Sequence, residues 1–215
     1  MLRSLAIFIQ SLLDIILPRK ERIIRIDHYT IEDIPVSPVE HEMLDVEITT
    51  LLNYRTEVVQ DLVKALKYDR SGHAAKLLAG ALAEYLREEI ANFKAFSIKP
   101  IILVPVPLHA SRLHERGFNQ IEKVLQNLPD EFKDGALSRI DTTSLVRTRA
   151  TPQQTRLSRG ERLKNVAGAF SAQGSALRGS HIIIIDDVTT TGATLAAAAA
   201  PLEGETLTLL ALAHA

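Results

Sequence analysis

The sequence predicts an α/β protein with a mostly parallel central sheet flanked by helices. Three observations carry that expectation. Short runs of branched apolar residues, IILV at 101–104 and IIII at 182–185, read as strands buried on both faces. Longer stretches with apolar residues three and four apart lie between such runs and read as amphipathic helices. The two kinds of segment alternate along the chain, as they do when helices cover both faces of a parallel sheet.

Taken in order, residues 2–17 (LRSLAIFIQSLLDIIL) are apolar but interrupted by Gln10 and Asp14. They are shorter than the ~20 residues a membrane span needs. PRKER follows them where a signal sequence would carry a small-residue cleavage site. They are expected to form an amphipathic helix docked on the protein itself, and the chain is expected to be cytoplasmic with no membrane span. Residues 18–50, with charges among Ile and Val and with Pro35 and Pro38, read as a small appendage of one or two short strands. Residues 1–50 are thus expected to form a helix and appendage, and 51–215 the main domain.

From Glu57, residues Val58, Val59, Leu62, Val63 and Leu66 share one helical face. After a turn at YDRSG, a second helix carries Ala74, Leu77, Leu78, Ala81, Leu82, Tyr85 and Leu86 on one side. A strand at 101–104 runs into PVP, and a helix is expected over 117–128. A short strand at 145–147, the IIII strand, a helix at 193–202 and a closing strand at 207–210 complete the reading. The formal net charge of −1 excludes bulk attraction to nucleic acid or anionic lipid and leaves only local patches. The absence of cysteine excludes disulfides, thiol nucleophiles and Cys-ligated zinc.

The most informative stretch is IIIIDDVTTTGATL, residues 182–195. A buried strand delivers Asp186 and Asp187 to its carboxyl end, where open α/β sheets bind ligands. The turn that follows, Val188, Thr189, Thr190, Thr191, Gly192, Ala193 and Thr194, opens a helix. Its hydroxyls and the helix's unpaired N–H groups suit a phosphate, and Gly192 permits close backbone approach. Carboxylates repel phosphate, so Asp186 and Asp187 suit neutral hydroxyls or a divalent cation. A sugar phosphate satisfies both halves. The plainer alternative, in which the acids cap the helix and the threonines fill a turn, does not account for the whole string. GSALRG at 174–179 has nucleotide-loop glycine spacing, but Ser180-His181 follows instead of Lys-Ser/Thr.

The string resembles the phosphoribosyl-pyrophosphate (PRPP) loop of type I phosphoribosyltransferases. Three further stretches resemble the ComF family within that class: VPVPLHASRLHERGFNQ (104–120), RTRATPQQTRLSRGERLKNVAGAF (147–170) and LLNYRTEVVQDLVKALKYD (51–69). SLLDIILP resembles the family's N-terminal helix. RKERIIRIDHYTIEDIPVS stands where members usually carry a zinc ribbon, so no zinc is expected and Ile23, Ile24 and Ile26 are expected to hold the appendage by apolar contact.

The resemblance implies that Asp186 and Asp187 bind ribose hydroxyls and that residues 188–194 cradle the 5′-phosphate. It implies a pyrophosphate loop with backbone donors at Leu108, His109 and Ala110, since the prolines before them carry no N–H. Arg116 and Gln120 share a helical face and are expected at the site's rim, where Arg112 and Arg116 either contact pyrophosphate or form a solvated basic face. Arg149, Gln153, Arg162 and Asn165 are expected to contact pyrophosphate from a basic loop, with Arg149 grouped with the acids as catalytic. Mg²⁺ is expected to arrive with PRPP, without a direct protein cage. The expected activity is transfer of ribose 5-phosphate from PRPP or a related sugar phosphate to an unknown acceptor. The alternative is a non-catalytic DNA-uptake (competence) factor whose partners are a competence-machinery protein or single-stranded DNA. Phe118 and Phe170 are expected to pack in the core.

Overall fold

A computed structural model of the chain describes residues 21–149 and 168–215. The expected helix at 2–17 and the candidate residues Gln153, Arg162 and Asn165 lie outside them. The described helices are α1 (Glu21–Ile26), α2 (Glu57–Tyr68), α3 (Gly72–Lys94), α4 (Ala110–Arg116), α5 (Gln120–Gln126) and α6 (Ala193–Ala199). The strands are β1 (Val39–Met43), β2 (Val46–Asn53), β3 (Ile101–Pro105), β4 (Arg139–Ile140), β5 (Leu145–Arg147), β6 (Phe170–Ala172), β7 (His181–Thr189) and β8 (Thr206–His214).

Six strands form one sheet in the order β1-β2-β8-β7-β3-β4, and β5 and β6 form a separate antiparallel pair. Every neighbouring pair of the large sheet is parallel except β1 with β2. The α/β class read from the sequence is the one observed.

β7 shows why. Ile182, Ile183, Ile184 and Ile185 are all at most 1% exposed, so neither face of the strand meets water. Period-two alternation sends Ile183 and Ile185 into the core with α2, α3 and α5, and Ile182 and Ile184 into the core with α6. The Ser71 hydroxyl accepts the Ala74 N–H at 3.1 Å, which starts α3 directly after the predicted turn.

Four expectations need correction. The helix expected over 117–128 is shorter, because Gly117, left-handed at φ +80°, ends α4 and Asn119 caps α5 two residues later. The Asn119 carbonyl accepts the Ile121 N–H at 2.9 Å while its amide donates to the Val106 carbonyl at 3.0 Å, tying the helix to the loop after β3. The closing strand runs through His214 and lies inside the sheet, between β2 and β7. The acid pair sits within β7 instead of beyond it, because β8 continues alongside, Asp186 facing Ala211 and Thr189 facing His214. The residue-50 boundary falls inside β2, which pairs with β8, so the β1–β2 hairpin extends the central sheet. Its two-residue turn, Leu44-Asp45, holds both residues at positive φ (57° and 61°). β1 reads VEHEM, and its acidic side chains suit a sheet edge that must not pair with other chains.

At the opposite end of β7, His181 is 4% exposed. Its Nε2 lies 2.8 Å from the Thr208 hydroxyl, its ring stacks edge-on against Phe93, and its buried Nδ1 has no partner among the described residues. Burial, and then the Lys99 cation, hold its pKa below the ordinary 6.5. The folded state therefore prefers neutral imidazole, and this contribution to stability is lost as pH falls through the unfolded value. His181→Gln, which keeps a partner for Thr208, is expected to flatten the loss of stability as pH falls below the ordinary histidine value of 6.5, measured as urea midpoints.

Candidate functional site

A cavity of about 580 Å³ opens at the carboxyl ends of β3 and β7. Its lining joins Asp186, Asp187, Val188, Thr190 and Thr194 from β7 and the turn after it to Leu108, Arg112 and Arg116 from the loop after β3 and α4. Four expected groups thus meet in one place: the acid pair, two threonines, one pyrophosphate-loop residue and both of its arginines. His109 is not in the lining. It caps α4, its Nδ1 accepting the Ser111 N–H at 3.2 Å, and Ala110 beside it is exposed. Arg149 is exposed and also outside the lining, whereas Arg147, two residues earlier on β5, reaches it.

Gly192 carries a packing role beside the expected approach to phosphate. It is left-handed at φ +75°, and its N–H donates to the Thr189 hydroxyl at 3.1 Å. A Cβ there would lie 2.7 Å from Ile48 Cδ1 and 2.8 Å from Met43 Cβ. The glycine lets the turn pass under the β1–β2 hairpin. Gly192→Ala is expected to lose at least about 1 kcal/mol from the left-handed backbone alone, with packing loss added, read as a lower thermal midpoint.

The acids have different surroundings. Asp187 is 6% exposed. Its Oδ1 takes the Lys67 ammonium at 3.0 Å and the Val188 N–H at 2.6 Å, and its Oδ2 accepts a short hydrogen bond from the Gln120 amide. Asp186 is half-buried and accepts the Asp187 N–H at 2.8 Å. Burial, then the Asp187 charge, push the Asp186 carboxyl up to about 7 against the opposing pull of Lys67 and Arg147. Burial disfavours the Lys67 ammonium, but Asp187, with Asp186 behind it, outweighs that and holds its pKa above the ordinary value. Burial and the Arg112 cation lower Arg147, with Asp186 acting in the opposite direction.

Lys67, Gln120 and Arg147 were therefore not singled out as principal ligand contacts, yet they complete the site. The sequence did place Lys67 in the helix-ending Leu-Lys-Tyr and Gln120 beside the arginines. Five cationic side chains line the cavity (Lys67, Arg70, Arg112, Arg116, Arg147) against three acids (Glu115, Asp186, Asp187), a balance that suits a polyanion despite the chain's near-neutral total. Tyr54, Tyr68 and Phe118 add an aromatic rim. Tyr68 is 67% exposed, and the Phe118 ring lies beneath Arg70 at 5.7 Å and Lys123 at 5.5 Å. Phe118 is thus a wall of the cavity and not a core residue, while Phe170 packs in the core as expected, with Arg147 5.2 Å over its ring.

This is an α/β protein whose buried central strand carries an acid pair and a threonine turn to a cationic cavity. No family model matches the chain. It is similar to the DNA utilization protein YhgH of Salmonella typhi, at 34% identity over 137 residues, 63% of this chain and 56% of that protein. It is similar to the competence protein ComFC of Bacillus subtilis, at 35% over 102 residues (47% and 38% of the two chains), and to that of Streptococcus pneumoniae, at 28% over 139 residues (65% and 54%). The chain spans about half the length of the curated relatives it matches. Among solved structures, a hypoxanthine phosphoribosyltransferase of Staphylococcus aureus aligns at 13% identity and a TM-score of 0.36, covering 66% of this chain and 63% of that one. So distant a likeness adds nothing to the fold, which rests on the strand order. The chain is a homologue, over part of its length, of proteins named YhgH and ComFC. Among the described residues no helix is long and apolar enough to cross a membrane.

Proposed function

We propose that the cavity binds PRPP with Mg²⁺ and that the protein transfers ribose 5-phosphate to an acceptor, releasing pyrophosphate. The supporting observation is the meeting of the acid pair, Thr190, Thr194 and the cations Arg112, Arg116 and Arg147 around one cavity of about 580 Å³. The 5′-phosphate sits at the threonine turn, the ribose hydroxyls at the end of β7 beside Asp186, and the pyrophosphate among the arginines. The bond from the anomeric carbon to the pyrophosphate oxygen breaks, a bond to the acceptor nucleophile forms, and the acceptor gives up a proton. The arginines stabilise the charge that gathers on the departing pyrophosphate. Mg²⁺ would arrive with PRPP, and the half-buried Asp186 carboxylate on the cavity wall is an oxygen donor of the kind it accepts. When bound, the ion supplies charge neutralisation for the pyrophosphate. The site of action is cytoplasmic, where PRPP is made.

Calorimetric titration of the full chain with PRPP, with and without Mg²⁺, tests this reading. Mg²⁺-dependent binding supports it, and no heat at millimolar ligand overturns it.

A second reading is favoured by the aromatic rim. Exposed Tyr68 and half-buried Phe118, set among Arg70, Arg116 and Lys123, form the kind of stacking shelf on which unpaired bases lie over a cationic track. Proteins named for competence and DNA utilization are among the relatives. In this reading the protein couples to single-stranded DNA or a competence-machinery protein. Tyr68→Ala separates the two: a loss of anisotropy-detected oligothymidine binding much larger than the loss of PRPP affinity favours this reading, and equal losses favour the first.

A further inference from the structure

Resting on the sugar-phosphate reading above, we propose that the two acids divide the work: Asp186 contacts the sugar, and Asp187 is a buried anchor that acts through Lys67 and Gln120. These two are positioning residues, and through Gln120 they set Arg116 at the pyrophosphate end of the cavity.

Three elements converge on Asp187. Lys67 comes from the last turn of α2, Gln120 is the first residue of α5, and Asp187 lies in β7. Both Asp187 oxygens are engaged, Oδ1 by the Lys67 ammonium and the Val188 N–H, Oδ2 by the Gln120 amide. A sugar hydroxyl could reach Asp187 only by displacing one of them, and displacing Lys67 would strand a mostly buried charge. Strand alternation points the same way. Asp187 follows Ile183 and Ile185 onto the face packed by α2 and α5. Among the described residues Asp186 has no such anchor and accepts a local backbone N–H in addition to its place on the cavity wall.

The other end of the relay is equally built. The Gln120 carbonyl oxygen accepts the Arg116 guanidinium at 2.6 Å, so one side-chain amide bridges Arg116 and Asp187. The Arg116 carbonyl accepts the Arg70 guanidinium at 2.7 Å, and Arg70 itself is held at φ 52°. A non-glycine residue in that region is strained and persists where its surroundings demand it. The ribose end and the pyrophosphate end of the cavity are thus joined by a continuous chain, Lys67–Asp187–Gln120–Arg116.

The test is calorimetry of the full chain with Mg²⁺, using ribose 5-phosphate and inorganic pyrophosphate as separate probes and a thermal melt for each variant. Asp186→Asn is expected to weaken ribose 5-phosphate by at least about 10-fold and leave pyrophosphate within about 3-fold. Gln120→Leu is expected to do the reverse. Asp187→Asn alone leaves Lys67 without its partner and is expected to lower the melt. Lys67→Met with Asp187→Asn removes both charges, and this pair is expected to restore ribose 5-phosphate affinity to within about 3-fold of the parent. If the double variant binds ribose 5-phosphate as weakly as Asp186→Asn, Asp187 contacts the sugar itself and the division is overturned. If Gln120→Leu weakens both probes equally, the relay to Arg116 is overturned. If the parent protein binds neither probe, the sugar-phosphate reading falls, and this inference with it.

Discussion

Asp186→Asn is expected to cut Mg²⁺-dependent PRPP affinity by at least about 10-fold and yet make the empty protein more stable above neutral pH. The two effects share one cause. Burial and the neighbouring Asp187 raise the Asp186 carboxyl to about 7, well above its ordinary 3.8. Between those values the folded state holds a proton that the unfolded state has released. The contribution of this group to stability therefore falls as pH rises from about 4 through about 7, and the full cost is borne above that. Asparagine carries no charge to desolvate. The variant should gain about 2 kcal/mol over the parent at pH 8, little at pH 4, and lose that part of the pH slope. Urea unfolding at the two pH values measures the gain, and calorimetry measures the lost affinity. A variant that is no more stable at pH 8 would show that the Asp186 charge is already compensated in the empty site. The expected trade is that of a carboxylate kept in an unfavourable place for the sake of its ligand.

The legible parts of this site were those written in consecutive residues. Four isoleucines in a row read as a strand with both faces covered, and the acids that follow lie toward its carboxyl end, although the strand runs on past them to Thr189. The threonine turn and its glycine were equally local. What escaped was tertiary. Nothing near Lys67 in the chain says that its ammonium meets a carboxylate 120 positions later, because that contact exists only once α2 packs on β7. Gln120 looked like a rim residue beside two arginines, and its bond to Asp187 depends on where Asn119 starts α5. Arg147 and Arg149 share a side on an ideal strand, so alternation alone could not choose between them. β5 ends at Arg147, and that ending placed Arg147 at the cavity and left Arg149 exposed. The β1–β2 hairpin was hidden for a different reason. Its turn uses Leu44-Asp45 in left-handed conformations, where Asn-Gly or Asp-Gly would have announced it.

The N-terminal segment around α1 yields the second large effect. Ile26→Ala is expected to destabilise the protein by about 3 kcal/mol, the cost of emptying a well-packed site. Ile26 is 0% exposed and belongs to the same core as α2 and α3. Ile23 packs against that core, but Ile24 is 47% exposed, so two of the three expected isoleucines hold the segment. Polar contacts add what the sequence did not suggest. Arg25 reaches both Asp61 oxygens, at 2.7 and 2.9 Å, and the Arg22 Nε reaches Asp69 at 3.0 Å, so α1 is clamped along α2 by two arginine–carboxylate pairs. Asp61 is 4% exposed, whereas the Arg25 side chain is 41% exposed. Removing the arginine strands a buried acid, and removing the acid releases an arginine that can turn to water. Arg25→Met should therefore lower the thermal midpoint more than Asp61→Leu, and the double variant should recover most of the loss. If the three variants melted with the parent while Ile26→Ala did not, apolar contact alone would hold this segment, and the ion pairs would be fittings of a surface already in place.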